Sequence, residues 1–325
     1  MTEITLAINT CFAIGRYPEP EEWMRVVTDE LELSHVQFSF DLVDPVIVDW
    51  DTVERKCRKI AELAQRRGIR IDTATTGEVP HKSNALLDPD PAVRRCYLRW
   101  YENLIRASSI LGAEGSGVYL GTLSSRDNGS AERRAYLISV LMEEIEHLTG
   151  IAKSEGQKYF MWEPMSVPRE IPCTITETRE LLERANRNSQ IPVLLCLDVG
   201  HGWIRSPNPR DRDPYAWLRE LAHLSPSIHM QQTDGKGSRH WPFSPEFNAK
   251  GIIAPEKVFA ALELSGAERT IVVFEYFFSA HALSEDTAIA DMRTSVQYWK
   301  EALGGSHRAG TAGRERPAGS EVRPQ

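Results

Sequence analysis

Short apolar runs alternate with long amphipathic ones along nearly the whole chain. The short runs are rich in β-formers: EITLAINT (3–10), HVQFSF (35–40), IRIDTAT (69–75), GSGVYLG (115–121), KYFMWEP (158–164), VLLCLDVG (193–200), SIHMQQ (227–232) and TIVVFEYF (270–277). The segments between them carry helical spacing. DTVERKCRKIAELAQRRG (51–68) puts Val53, Cys57, Ile60 and Ala64 on one face, sets Asp51 and Glu54 at capping-box spacing, and stops at Gly68. Residues 90–112 and 130–156 close on Gly112 and Gly156, and 254–266 has Pro255 at its start and Gly266 at its end. Weaker helical patterns cover 20–31, 176–187 and 213–223, and a last helix runs from about Ser284 to Leu303.

Eight strands, each followed by a helix, predict a single (β/α)₈ TIM barrel over residues 1–303. An open doubly wound sheet would want a glycine-rich phosphate loop after the first strand, but NTCFAIGRYPEP holds one glycine. From Gly304 onward the composition turns to Gly, Arg, Pro and Ser without apolar periodicity, so residues 304–325 are expected to form a disordered tail.

Composition narrows the function classes. The chain has 325 residues and a net charge of −8, with no long Lys/Arg run, which speaks against a nucleic-acid partner. No apolar run approaches the roughly 18 residues of a membrane span, so no membrane partner is expected. Five scattered cysteines without CxxC spacing, and a start that already looks like a strand, read as a reduced, cytoplasmic protein.

In a barrel of this kind the active site lies at the C-terminal ends of the strands. Here strand five ends in Trp162-Glu163-Pro164, and strand six in Leu197-Asp198-Val199-Gly200-His201. Strand seven holds His229, Gln231 and Gln232, and strand eight holds Glu275 within VVFEYFF. Carboxylates in apolar strands are costly unless paired or bound to metal, and no strand offers an evident Arg or Lys partner. Side-chain alternation puts His229 and Gln231 on one face and Gln232 on the other. Either His229 or Gln231 can reach a metal, and Gln231 lies nearer the strand's end. An oxygen set of Glu163, Asp198, Gln231 and Glu275 suits Mg²⁺ or Mn²⁺ better than Zn²⁺.

WEPM, LDVGH, HMQQTDG and VFEYF, in that order on the last four strands, resemble the xylose-isomerase-like sugar isomerase/epimerase superfamily. Within it the pattern is similar to the metal-dependent ketose 3-epimerases and the hydroxypyruvate isomerases, over about residues 3–303. The resemblance implies a divalent ion, Mn²⁺ or Mg²⁺ with Co²⁺ as a further option, on Glu163, Asp198, Gln231 and Glu275. Gln231 departs from the histidine usual in the epimerases and is similar to the isomerase pattern. INTCFAIGRYPEPEEW and MWEPMSVPREIPCTI look more narrowly like the tetrulose-phosphate epimerases of tetritol catabolism, which act on erythrulose phosphates. Relatives of this kind imply a homodimer or homotetramer.

An epimerase of this type needs two bases on opposite faces of C3 and a metal to stabilise the enediolate. The resemblance gives the proton transfers to Glu163 and Glu275 and puts His201 on the substrate oxygens. For a phosphate, the loop DGKGSRHW offers Lys236 and Arg239, with Arg169 as a further candidate. Asn9, Gln37 and Thr75 end other strands and are candidates to contact the sugar. Trp162, Trp203, Trp241 and Phe12 are candidate pocket walls. Other classes remain in view: an aldose–ketose isomerase of the hydroxypyruvate type, an AP-endonuclease-like DNA repair enzyme, a metal-free glycosidase using the same two glutamates, and a non-catalytic barrel.

Overall fold

A computed structural model describes residues 2–278 and 286–312. Its strands are β1 (Glu3–Asn9), β2 (His35–Ser39), β3 (Arg70–Thr75), β4 (Gly115–Val118), β5 (Tyr159–Trp162), β6 (Val193–Asp198), β7 (Ser227–Met230) and β8 (Arg269–Phe274). All pair in parallel with their sequence neighbours, and β1 pairs with β8, closing the barrel. The expected TIM barrel is therefore the fold. Closure runs from Glu3↔Arg269 to Ile8↔Phe274, one of the longest ladders in the sheet.

The helices are α1 (Pro20–Arg25), α2 (Trp50–Arg67), α3 (Pro91–Ile110), α4 (Ser125–Asn128), α5 (Ala131–Ser154), α6 (Ile175–Asn186), α7 (Pro214–Leu221), α8 (Pro245–Asn248), α9 (Pro255–Ser265) and α10 (Ala288–Ala312). The apolar stripe read for α2 is buried as expected. Its cap differs from the expected one: Asp49, not Asp51, accepts from the Thr52 N–H at 2.9 Å, because the helix begins at Trp50 and Asp51 already lies in its first turn. Asp90 and Ser130 cap α3 and α5 in the same way. Residues 20–31 divide into α1 and a π-helical turn, Val26–Glu30. Helix α10 continues past Leu303, where the sequence pattern ends the barrel, and residues 313–325 of the expected tail lie outside the described residues.

The strands are short, so the polar residues of the motifs fall at their very ends. Asn9 and Asp198 are the last residues of β1 and β6, whereas Glu163, Gln231 and Glu275 each follow the last residue of β5, β7 and β8. All are buried at one mouth of the barrel. Below them the barrel interior is filled by small and apolar side chains, among them Met161, Cys196 and Ser227.

Candidate active site at the C-terminal mouth

Glu163, Asp198 and Glu275 converge at the mouth, each less than a tenth exposed. Three imidazoles surround them. His229, on β7, sits deepest: its Nδ1 is 3.1 Å from Glu163 Oε1 and 3.2 Å from Glu275 Oε2. Its Nε2 is 2.7 Å from Gln37 Oε1 and 3.3 Å from Cys196 Sγ. Gln37 turns its own amide N–H to Thr73 and its oxygen to Asn9 and His229, so Nε2 must donate. With carboxylates at Nδ1 and an acceptor at Nε2, these surroundings favour the protonated ring as long as no cation is bound. Burial alone would lower its pKa, but the Cys196 sulfur and the Glu275 and Glu163 carboxylates raise it well above the usual value. Burial likewise raises Glu275, and the charge and hydrogen bond of His229 outweigh that and hold it down at about 2.

His201 and His240 complete the ring. His201 Nδ1 lies 3.2 Å from the Pro164 carbonyl and 3.4 Å from Glu163 Oε1, and its Nε2 is 3.8 Å from Asp198 Oδ2. Its pKa is raised: burial opposes the charge, and Asp198, Glu163 and Glu275 outweigh it. His240 Nδ1 is 3.7 Å from Glu275 Oε2, and its Nε2 meets Ser238 Oγ at 2.9 Å. His240 adopts a φ of 47°, a left-handed conformation that turns its ring back over the barrel. Asn9 Nδ2 donates to both Glu275 Oε1, at 3.0 Å, and Gln37 Oε1, at 2.9 Å.

Gln231 joins the same site with an unexpected orientation. Its Nε2 donates to both oxygens of Asp198 at 3.0 Å, while its Oε1 accepts from the backbone N–H of Arg239 at 2.8 Å and of His240 at 2.6 Å. The amide oxygen thus faces the loop, not the carboxylates. Gly200 makes room for it, since a Cβ there would collide with the Gln231 amide. Gln232 faces outward, as alternation predicts, and ties the chain to Asn248 and Ile253.

The donor set fits a divalent cation. Among the described residues no Lys or Arg lies within ion-pairing distance of the three carboxylates. Ligand atoms of Glu163, Asp198 and His229 lie within 4.8 Å of one another, as do those of Asp198, His201 and His240. Three buried carboxylates without a Lys or Arg partner among the described residues are the kind of site a hard metal neutralises.

The cavity above the carboxylates has a volume of about 360 Å³. Asn9, Glu163, His201 and Glu275 line it as expected. Lys236, Arg239 and Arg169 do not. Arg239 is exposed and paired with Asp234 at 3.1 Å, its guanidinium over Trp241. Arg169 is exposed and holds the Leu123 carbonyl at 2.9 Å, joining two loops. Lys236 is exposed at the loop's tip and makes no ion pair among the described residues. The glycine-rich tip carries these cations outward, whereas Ser238 and His240 turn in. None of Trp162, Trp203, Trp241 and Phe12 lines the cavity; Phe277 does. The strand-end reading missed Glu78, His81, Ser166 and Glu170, which belong to loops after β3 and β5. Only the sequence position of those loops, on the catalytic side of a barrel, hinted at them.

Residues 28–302 match the family model described as xylose isomerase-like TIM barrel. The chain is 31% identical over 299 residues to D-erythrulose 1-phosphate 3-epimerase of Brucella abortus (strain 2308), an alignment covering 91% of this chain and 95% of that one. A Rhodospirillum rubrum protein solved as a candidate xylose isomerase superposes with a TM-score of 0.83 at 26% identity, over 92% of this chain and 99% of its own. A D-psicose 3-epimerase solved in the presence of D-fructose shares the fold, with a TM-score of 0.67 at 18% identity over 94% of this chain and 98% of its own. A closed barrel with a carboxylate-rich mouth defines a class of enzymes that work at the strand ends. Within that class, the chain belongs to the xylose isomerase-like TIM-barrel family.

Proposed function

We propose that this sugar epimerase inverts C3 of a short ketose phosphate, D- or L-erythrulose 1-phosphate. Glu163 and Glu275 carry the protons, and Mn²⁺ or Mg²⁺ is held by Glu163, Asp198, Gln231 and Glu275. The observation that carries this reading is the meeting of Glu163 and Glu275, from β5 and β8, at the single nitrogen Nδ1 of His229. Two carboxylates delivered from separate strands to one small cavity can address two faces of one carbon. The similarity to the Brucella enzyme supports the choice of substrate.

One glutamate removes the C3 proton, and its electron pair moves toward the C2 carbonyl oxygen. The other glutamate, protonated, returns a proton to the opposite face of C3, and the carbonyl re-forms. When bound, the divalent ion supplies Lewis-acid stabilisation of the enediolate oxygens. Asn9 and His229 hold Glu275 in place throughout, and His201 and His240 present N–H groups to substrate oxygens. No helix among the described residues is long and apolar enough to cross a membrane.

The test is proton NMR in D₂O with the divalent ion and D-erythrulose 1-phosphate. Deuterium at C3 together with the L-ketose phosphate, abolished by chelator, is the expected result. No exchange there, with exchange at C1 of an unphosphorylated ketose or at the corresponding carbon of hydroxypyruvate, would move the reading to an aldose–ketose isomerase.

A further inference from the structure

The cavity has two walls of different character. On the side of β6, β7 and β8 the polar groups satisfy one another: Asp198 with Gln231, Gln231 with Ser238 and His240, Glu275 with Asn9 and His229. On the side built by the loops after β3 and β5 they do not. The His81 ring lies on Tyr119, with centroids 3.8 Å apart and planes 23° apart, and makes no hydrogen bond among the described residues. Ser166 Oγ is buried without a partner. The carboxyl groups of Glu78, an exposed residue, and of half-buried Glu170 line the same space without a hydrogen bond, and partial burial raises both from the ordinary carboxyl value. A buried hydroxyl without a partner is costly, and together with three further side chains that leave their polar groups without protein hydrogen bonds on the same wall it points to a ligand that completes them.

We infer that this wall seats the uncharged, hydroxyl-bearing end of the substrate, that His81 and Ser166 read its terminal hydroxyl, and that the phosphate points away toward the loop after β7. The inference rests on the ketose-phosphate reading above. A hydroxyl both donates and accepts, so it can take a proton from the His81 ring or from Ser166 and give its own to a neighbouring carboxyl group. A phosphate dianion offers only acceptors. Here it would lie beside Glu78 and Glu170, with no Lys or Arg among the described lining residues. Nor does His81 supply the missing charge, since burial pushes its pKa down to about 4. Stacking on Tyr119 fixes the ring plane, so the reading is directional. A site that hydrogen-bonds a hydroxyl rejects the analogue lacking it, because its own groups then stay unpaired.

The experiment compares erythrulose 1-phosphate with its 4-deoxy analogue on the metal-loaded enzyme and on the variants His81→Phe and Ser166→Ala. Phenylalanine keeps the stack on Tyr119 and removes the ring nitrogens. The wild type is expected to favour the hydroxylated ketose by at least about tenfold in kcat/KM. His81→Phe should lose most of that preference, with the change mainly in KM, and should leave the deoxy analogue within about threefold of wild type. Equal losses on both substrates, or an undiminished preference, would overturn the inference. Ligand-observed NMR binding of the same two compounds gives a readout independent of turnover. Preferential binding that His81→Phe abolishes, without any proton exchange, would sink the epimerase reading and keep the subsite. Equal binding of the two compounds by the wild type would sink the subsite.

Discussion

The Gln231 amide nitrogen sits 3.0 Å from both oxygens of Asp198. Its oxygen is consequently turned to the backbone N–H groups of Arg239 and His240. Turning the amide so that its oxygen meets a cation would leave those two N–H groups facing an NH₂. His229, the alternative ligand, would have to give up its Nδ1 proton to offer a lone pair. Binding of a cation therefore either turns the Gln231 amide or displaces the proton on His229 Nδ1.

If Gln231 is the ligand, adding Mg²⁺ should free the Arg239 and His240 amides. Hydrogen exchange at these two positions is expected to quicken on metal addition, while exchange in β6 slows. Unchanged exchange at both amides, with affinity lost in His229→Asn, would transfer the ligand role to His229.

Glu163→Gln and Glu275→Gln should each reduce C3 exchange by about 10²–10⁴-fold, as expected for loss of a proton-transferring group. Asn9→Ala should cost about tenfold through the loss of its hold on Glu275. Single-turnover NMR in D₂O measures all three. Wild-type exchange in either glutamine variant would remove that residue from the proton path.

Lys236→Ala should raise KM for the phosphorylated ketose by about three- to tenfold and leave an unphosphorylated ketose unaffected, since an exposed charge acts mainly by steering. Arg239→Ala, already paired with Asp234, should change either value by less than about twofold. A larger effect of Arg239 than of Lys236, measured by steady-state kinetics at two salt concentrations, would show that the ion pair opens on binding.

Gly200→Ala places a methyl group against the Gln231 amide. Overpacking of this kind costs about 1–3 kcal/mol. Urea unfolding should show that loss, and calorimetry should show weaker metal binding. Unaltered stability would mean that Gln231 can move aside freely.

Away from the site, Glu144 on α5 sits 3.8 Å from Arg94 with its carboxyl largely buried. Burial pushes it up to about 7, against the pull of Arg94. Its folded-state pKa lies above the unfolded one. Its stabilising contribution is therefore complete below the unfolded value and is lost as pH rises through about 7. Glu144→Gln should flatten this dependence. Denaturant midpoints at acidic and alkaline pH check it, and parallel profiles would rule it out.

The barrel and its buried carboxylates are legible in the chain's local pattern. Period-two strands and period-3.6 helices with glycine stops are local signals, and eight repeats of the pair leave few topologies. An acidic residue at the end of an apolar strand is legible for the same reason: it breaks a pattern that burial enforces. The directions in which the polar groups face follow from contacts between distant parts of the chain. From the sequence, the cations at the tip of the loop after β7 are candidate phosphate ligands. Yet left-handed turns in that loop carry Lys236 and Arg239 out and bring Ser238 and His240 in. The second ring of site residues, His81, Ser166, Glu78 and Glu170, lies on loops without periodicity, where nothing in the spacing announces a direction. The orientation of Gln231 depends on a hydrogen-bond network reaching from Asp198 to His240. Side-chain direction is set by partners distant in the chain, which only the closed barrel brings within reach.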